Sequence, residues 1–384
     1  MSHPIWDELL GQPEAIEQLQ LELTRKKQSL NHAWLFTGPA GSGRSNLAKA
    51  FAAALQCEQD GCGKCQQCRL ALAGAHPDVS ILATDRVLIT IDEVRDLVAK
   101  SAMGTSMGKY RVIIIEDADR MAERTSNVLL KALEEPPANT IWMLCAPSVA
   151  DLLPTIRSRV RNLNLRLPSV EEVAELLVTR DGIDPTLALS CAQQAQCHIG
   201  MARRLATSHE ARSRRSETIR LALSIGNLSQ AMSIAEQFLA LAKKDAEAIA
   251  QERDALETEN LKLALGIQEG EKVPAAVRAQ FKELEENQKR RGTRTLRDGI
   301  DRILTDLESV LRDVMSLQLG TGVSLINESV QADLVQRANQ TSIEQSIAAL
   351  EMIVTSRKRL ASNVRDLLVL EALCTKLIWN KNAA

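Results

Sequence analysis

Aromatic residues are nearly missing from this sequence. Four Trp, four Phe and one Tyr amount to 2% of 384 residues, too few rings for a base-stacking platform of the single-strand-binding kind. An excess of one charge is missing as well. The 47 Lys and Arg against 49 Asp and Glu leave a formal charge of −2, so no chain-wide basic field draws in nucleic acid or a membrane surface. No run approaches the ~20 apolar residues of a membrane-spanning helix. The first residues, MSHPIWDELLGQPE, carry acids early and no basic stretch ahead of an apolar one, which does not read as a secretory signal. A disulfide framework is also absent from the pattern. Four of the eight cysteines crowd into 57–68, and Cys145, Cys191, Cys197 and Cys374 stand singly in apolar or Ala-rich surroundings. That usage points to a reducing, cytoplasmic compartment and a metal-bound cysteine cluster.

What is present is ordinary globular composition, 45% hydrophobic and 25% charged, long enough for about two or three domains. Residues 13–27 pattern as an amphipathic helix with Pro13 at its start. AWLFT (33–37) reads as a buried strand, followed by the loop GPAGSGRS (38–45) and the helix NLAKAFAAALQC. Further strands are expected at 77–83, 111–117 and 140–146, with helices at 91–100 and 126–135 between them. RVIIIED is the strongest of these signals, β-branched and unbroken as a central parallel strand requires. Strand and helix in alternation predict βαβ units and a parallel sheet covered on both faces. Beyond about 165 no further strand is expected. Residues 169–207 read as short helices and everything from about 212 as helical. Residues 243–295 are highly charged, with IQEGEKVP between two runs, and read as a helical hairpin. Leu296, Ile300, Ile303, Leu307, Val310, Val314 and Leu317 make one apolar helix face, and two more amphipathic helices follow at about 342–357 and 362–379.

Three motifs carry chemistry. Gly38, Gly41, Gly43, Arg44 and Ser45 fit G-x-x-x-x-G-[K/R]-S between a strand and a helix, a loop whose backbone N–H groups can face phosphate oxygens. Arg44 stands where lysine is usual, and a planar fork does not replace a compact point charge. Two readings therefore stand: the loop holds nucleotide, or it keeps the shape without the chemistry. Glu116 and Asp117 end the strongest strand, where a P-loop ATPase places its Mg²⁺-side and catalytic acids, but in reversed order. Mg²⁺ demands near-ideal octahedral geometry, so weak metal contact and two solvated acids both remain open, and loss of hydrolysis is favoured. Cys57, Cys62, Cys65 and Cys68 follow C-x4-C-x2-C-x2-C with Gly61 and Gly63 between them. That spacing suits a closed tetrahedral structural Zn²⁺ site, against an iron–sulfur cluster or free thiols. By spacing alone, Arg157 and Arg159 in LPTIRSRV are two surface arginines.

LLGQPEAIEQL, NHAWLFTGPAGSGRS, the four-cysteine insertion, IIIEDADRM, NVLLKALEEPP and LLPTIRSRV occur in that order. Together they resemble the bacterial clamp-loader branch of the AAA+ ATPases, over residues 1–205. The resemblance implies an α/β AAA+ domain at 1–165 with its zinc module at 57–68, a small helical lid at 166–210, and a helical collar at 211–384 bearing the charged insertion at about 243–295. It implies partners: the other clamp-loader subunits (gamma/tau and delta) in a five-subunit ring of the DNA polymerase III holoenzyme, with the sliding clamp and primed DNA met through the complex, and no membrane. It also implies that Ser158-Arg159-Val160 stands in for a Ser-Arg-Cys motif whose arginine reaches a neighbour's ATP, stabilising charge on the transferring phosphoryl group. The cysteine of that motif is Val160 here. Active members carry Gly-Lys-Thr/Ser and Asp-Glu. Arg44, Glu116-Asp117 and the Cys145-Ala146-Pro147 of the sensor-1 region depart from that, while Arg203 keeps a sensor-2-like place. The expectation is a non-hydrolysing subunit that supplies Arg159 in trans and whose own ATP/Mg²⁺ site is vestigial. The alternatives are an ATP-hydrolysing gamma/tau-type subunit and a zinc-dependent DNA-binding module. The charged helices are a solvated hairpin or a partner-binding arm. The basic cluster Lys289, Arg290, Arg291, Arg294 and Arg297 at the end of that stretch is a wet face or a DNA contact.

Overall fold

The computed structural model describes residues 4–6, 9–24, 30–84, 88–264, 277–290 and 292–379. The chain forms two compact units, 1–207 and 208–384. The first opens with helix α1 (Pro13–Thr24) and strand β1 (Ala33–Thr37); residues 25–27 of the expected helix lie outside the described residues. Then come α2 (Arg44–Gln56), α3 (Gln66–Leu72), β2 (Val79–Leu82), α4 (Ile91–Ser101), β3 (Arg111–Ile115), α5 (Glu123–Glu134) and β4 (Thr140–Ala146). The short α6 (Pro154–Arg157) leads to β5 (Arg161–Asn164), followed by α7 (Val170–Asp181), α8 (Pro185–Gln194) and α9 (Ile199–Thr207).

The five strands pair in parallel in the order β2-β3-β4-β1-β5. Side chains alternate across each strand, so the β-branched run of β3 feeds two cores at once. Val112 and Ile114 join Trp34, Phe36 and Leu47 on one face. Ile113 and Ile115 join Leu35, Leu129 and Leu144 on the other. The crossover order puts β1 between β4 and β5, so the loop after β1 opens beside the ends of both neighbours.

β5 is a fifth strand beyond the four expected at 33–37, 77–83, 111–117 and 140–146. Its sequence, RNLN, offers one apolar inward residue, Leu163. An edge strand needs little more, because one neighbour and one face suffice. Thr37 Oγ1 donates to Asn162 Oδ1 at 2.9 Å, a polar stitch no hydrophobic pattern can announce.

At the opposite edge, side chains beside the cysteine segment clamp the loop before β3. Gln56 Oε1 accepts from the backbone N–H of Lys109 (2.9 Å) and Tyr110 (3.3 Å). Asp78, fully buried, accepts from the N–H groups of Ser106, Met107 and Gly108 at 2.6–2.8 Å and faces Arg111 at 3.3 Å. His76 Nε2 meets Gln67 Oε1 at 2.5 Å, tying α3 to the start of β2.

The second unit contains, among the described residues, only helices and turns: α10 (His209–Ser224), α11 (Leu228–Ala264), α12 (Arg278–Arg290), α13 (Gly292–Leu319), α14 (Gln331–Gln340), α15 (Ile343–Ala361) and α16 (Asp366–Lys376). The stripe Ile300, Ile303, Leu307, Val310 and Val314 is buried in its core. The charged stretch does not start a new helix at 243: α11, 37 residues long, begins at Leu228 and runs on into it as far as Ala264. Its lower half packs in the core through Phe238 and Ala242, so one continuous helix carries both the buried and the charged parts. The turn expected at 267–274 lies outside the described residues. So do Arg291 and the side chains of Lys289, Arg290 and Arg294; Arg297 donates to Asn363 Oδ1 at 2.7 Å. No described helix is long and apolar enough to cross a membrane.

Candidate functional site

The loop after β1 turns into α2 through backbone that only glycine holds easily. Gly41 sits at φ +87°, and a Cβ there would come within 2.8 Å of the His198 Cα. Gly43 caps α2 at φ +86° with no side-chain hydrogen bond, leaving first-turn N–H groups to an outside acceptor. An open cavity of about 340 Å³ lies over this turn, lined by Gly41, Gly43, Arg44 and Ser45 from the loop and by Arg180, His198 and Arg203 from the helical segment after the sheet. Arg180 and Arg203 share Asp181, at 2.7 and 3.2 Å. Hydrogen bonding from Arg180, set against partial burial and aided by the charge of Arg203, holds the Asp181 carboxyl below its usual range. Arg44 Nη1 is buried with no hydrogen-bond partner among the described residues. Three guanidiniums and an uncapped helix N-terminus around one cavity suit a phosphate-sized anion.

The acids at the end of β3 are differently disposed. Lys49 Nζ, one turn into α2, sits 2.9 Å from Glu116 Oε1. Asp117 holds a left-handed backbone conformation (φ 52°, ψ 50°) and faces Arg120 at 3.5 Å. The neighbouring Asp119 is pushed up by burial and by the charge of Asp117, against the pull of Arg120 and Arg44. Both acids the sequence singles out therefore carry cationic partners. The residues present fit a phosphate but do not offer Mg²⁺ a free pair of carboxylates. Cys145, in the strand beside them, is an inert buried thiol pushed up to about 12 by desolvation and the nearby Glu116 charge.

The four cysteine ligand atoms lie within 4.8 Å of one another. Cys57 Sγ is 3.6 Å from Cys62 Sγ and 3.8 Å from Cys65 Sγ, against the ~3.8 Å edge of a tetrahedron with ~2.3 Å metal–sulfur bonds. Backbone N–H groups of Gln59, Cys62, Cys65 and Cys68 point at these sulfurs. Burial opposes ionisation of Cys57, but the N–H donors of Cys62, Gly61 and Gln59 outweigh it and bring the thiol down to about 6. The cluster fits a closed metal site.

Arg159 is remote from this cluster in sequence and does not line the phosphate cavity. It follows α6, which Pro154 starts and Ile156, fully buried, pins to the domain. Its side chain is 34% exposed. Nη1 donates to the Thr155 carbonyl (2.7 Å) and to Ser158 Oγ (3.0 Å), and Nε donates to Glu134 Oε1 (2.7 Å). Ser158 thus acts as a buttress for the arginine. The fold brings Gly41, Gly43, Arg44, Ser45 and Arg203 to one cavity and ties Glu116 to the same helix, while the Ser158–Arg159 turn stands apart. Sequence reasoning misses Lys49, Arg180, His198 and Glu134. Lys49 and Glu134 meet their partners across 67 and 25 positions, and Arg180 and His198 reach the glycine loop only through the fold; the one local hint was that Glu134 lies in LEEPP, within a segment already singled out.

Residues 11–169 match a family model described as DNA polymerase III, delta subunit. The delta-prime subunit of DNA polymerase III from Pseudomonas aeruginosa is 37% identical over 164 residues, 41% of this chain and 50% of that one. The Haemophilus influenzae delta-prime subunit is 35% identical over 158 residues, 40% and 48% of the two chains. The gamma/tau subunit from Mycobacterium tuberculosis is 31% identical over 165 residues, 42% and 28%. The chain spans about half the length of the delta-prime relatives it matches. Over residues 11–169 the chain is therefore similar to DNA polymerase III subunits, at 35–37% identity to these delta-prime relatives and 31% to the gamma/tau one.

Proposed function

We propose that this chain is a delta-prime-type subunit that hydrolyses no ATP and supplies Arg159 in trans to an ATPase neighbour during loading of the sliding clamp onto primed DNA. The observation that carries the reading is the Lys49–Glu116 ion pair. A carboxylate neutralised by a lysine at 2.9 Å is a poor base for water and a poor ligand for Mg²⁺. Arg44 in place of lysine and the reversed acids act in the same direction. The phosphate cavity keeps its cationic lining, so it is a binding or structural remnant. Arg159 carries a permanent charge at a surface turn, the property needed to stabilise phosphoryl charge in another subunit's site.

On this reading residues 1–165 are the AAA+ domain, 166–210 the lid and 211–384 the collar that meets the other subunits, gamma/tau and delta, in a five-subunit ring. The four thiolates hold structural zinc, which would fix the segment between α2 and β2 and take no part in chemistry. An ATP-hydrolysing gamma/tau-type role is the competing reading, favoured by the glycine loop and the 31% identical gamma/tau relative.

The deciding experiment is Arg159→Ala in the reconstituted complex, with the ATPase of the isolated chain measured alongside. The complex should assemble, with turnover and clamp loading falling at least tenfold, well inside the range of such residues. Unchanged loading refutes the role of Arg159, and turnover of ~1 s⁻¹ by the isolated chain refutes the non-hydrolysing assignment.

A further inference from the structure

We propose that Glu134 is a latch on Arg159, an in-chain carboxylate that occupies the guanidinium until a neighbour's phosphate replaces it. The inference rests on the reading of Arg159 as a trans-acting residue. The fork edge of Arg159 lies on Glu134: Nε donates to Oε1 at 2.7 Å and Nη2 contacts the same oxygen. That edge is the one best shaped for two phosphate oxygens. The other nitrogen, Nη1, is held independently by the Thr155 carbonyl and Ser158 Oγ. Aiming and charge are thereby separated. The turn after α6 fixes where the guanidinium sits, and Glu134 offsets its charge.

The position of Glu134 supports this. It is the last residue of α5, ahead of Pro136-Pro137. A carboxylate in the last turn opposes the helix dipole, so the acid does not serve α5 itself. Both partners are partly exposed, Arg159 by 34% and Glu134 by 47%. Water competes for each, the pair is weak, and exchange for a polyphosphate is easy. A free Arg159 would be a permanent cation open to any passing phosphate, and the latch limits that until the correct surface docks.

The test uses the reconstituted complex, read as basal ATP turnover without clamp or DNA, for Glu134→Gln, Arg159→Ala and the double variant. Gln keeps size and an acceptor oxygen but removes the charge. Glu134→Gln should raise turnover about threefold to fivefold, the span an exposed ion pair can carry. The double variant should match Arg159→Ala. If Arg159→Ala lowers turnover while Glu134→Gln leaves it unchanged or lowers it, the latch is overturned and the role of Arg159 survives. If Glu134→Gln raises turnover equally in the Arg159→Ala background, Glu134 acts through something else and the latch is overturned. If Arg159→Ala has no effect, the underlying reading fails and the latch goes with it.

Discussion

The two edges of the sheet handle charge in opposite ways. Beside β2, Asp78 is turned fully inward, saturated by three backbone N–H groups and faced by Arg111, with the cysteine cluster in the segment that leads into it. Beside β5, charge is turned outward: Arg159 sits at a surface turn, held by one exposed carboxylate and two local oxygens. A buried charge with every lone pair satisfied contributes rigidity and is costly to disturb. An exposed one contributes little stability and stays free to act on something else. One edge therefore reads as architecture and the other as function, although both belong to one sheet.

Removing any metal held by the four cysteines should do the most damage. Chelation of purified protein, checked by metal analysis at about one zinc per chain, should cost the first unit about 4 kcal/mol, the stabilisation by a ligand present at about a thousand times its Kd. Calorimetry would register that as roughly 8 to 16 °C in Tm; a zinc-free protein of unchanged Tm breaks the comparison at this edge. Asp78→Asn comes next, at about 3 kcal/mol, because charge-assisted bonds to three N–H groups are lost and Arg111 is left facing a neutral group. Burial alone would raise the Asp78 carboxyl, but the N–H groups of Met107, Ser106 and Gly108, with Arg111, hold it below its usual range. A depressed folded value means its contribution is present above the unfolded value of about 4 and is lost as pH falls through the folded one. Urea titrations from pH 7 downward should therefore show the wild-type advantage over Asp78→Asn shrinking on acidification.

Arg159→Ala should reverse the pattern: stability within about 0.5 kcal/mol of wild type, but turnover of the complex down at least tenfold. A large loss of Tm from that substitution would place Arg159 in the architecture instead. The smallest effect is expected from Arg44→Lys. Restoring the usual lysine leaves Glu116 on Lys49, so a phosphate-release assay on the isolated chain should stay near background, and the reconstituted complex should change less than about twofold.

Much of this was legible in the residues. The unbroken β-branched run of 112–115 could only be a central strand, and it is one. The four cysteines within twelve positions predicted a cluster, and their sulfurs converge. The glycines around Arg44 predicted a loop entering a helix, and α2 begins there. What stayed hidden has one cause. β5 has a polar sequence and exists because β1 offers it an edge. Glu116 looked free until α2 laid Lys49 beside it, 67 positions away. Glu134 meets Arg159 across 25 residues and an intervening strand.

By itself the sequence determined the features set by covalent spacing: which segments bury both faces, where the backbone must turn, and which thiols can share an ion. Those depend on neighbours a few residues apart, whose distance the chain dictates. The folded arrangement alone decided which charges cancel. Pairing between distant residues depends on crossover order and helix placement, and an ion pair at 3 Å differs from two solvated groups only in where the rest of the molecule has put them.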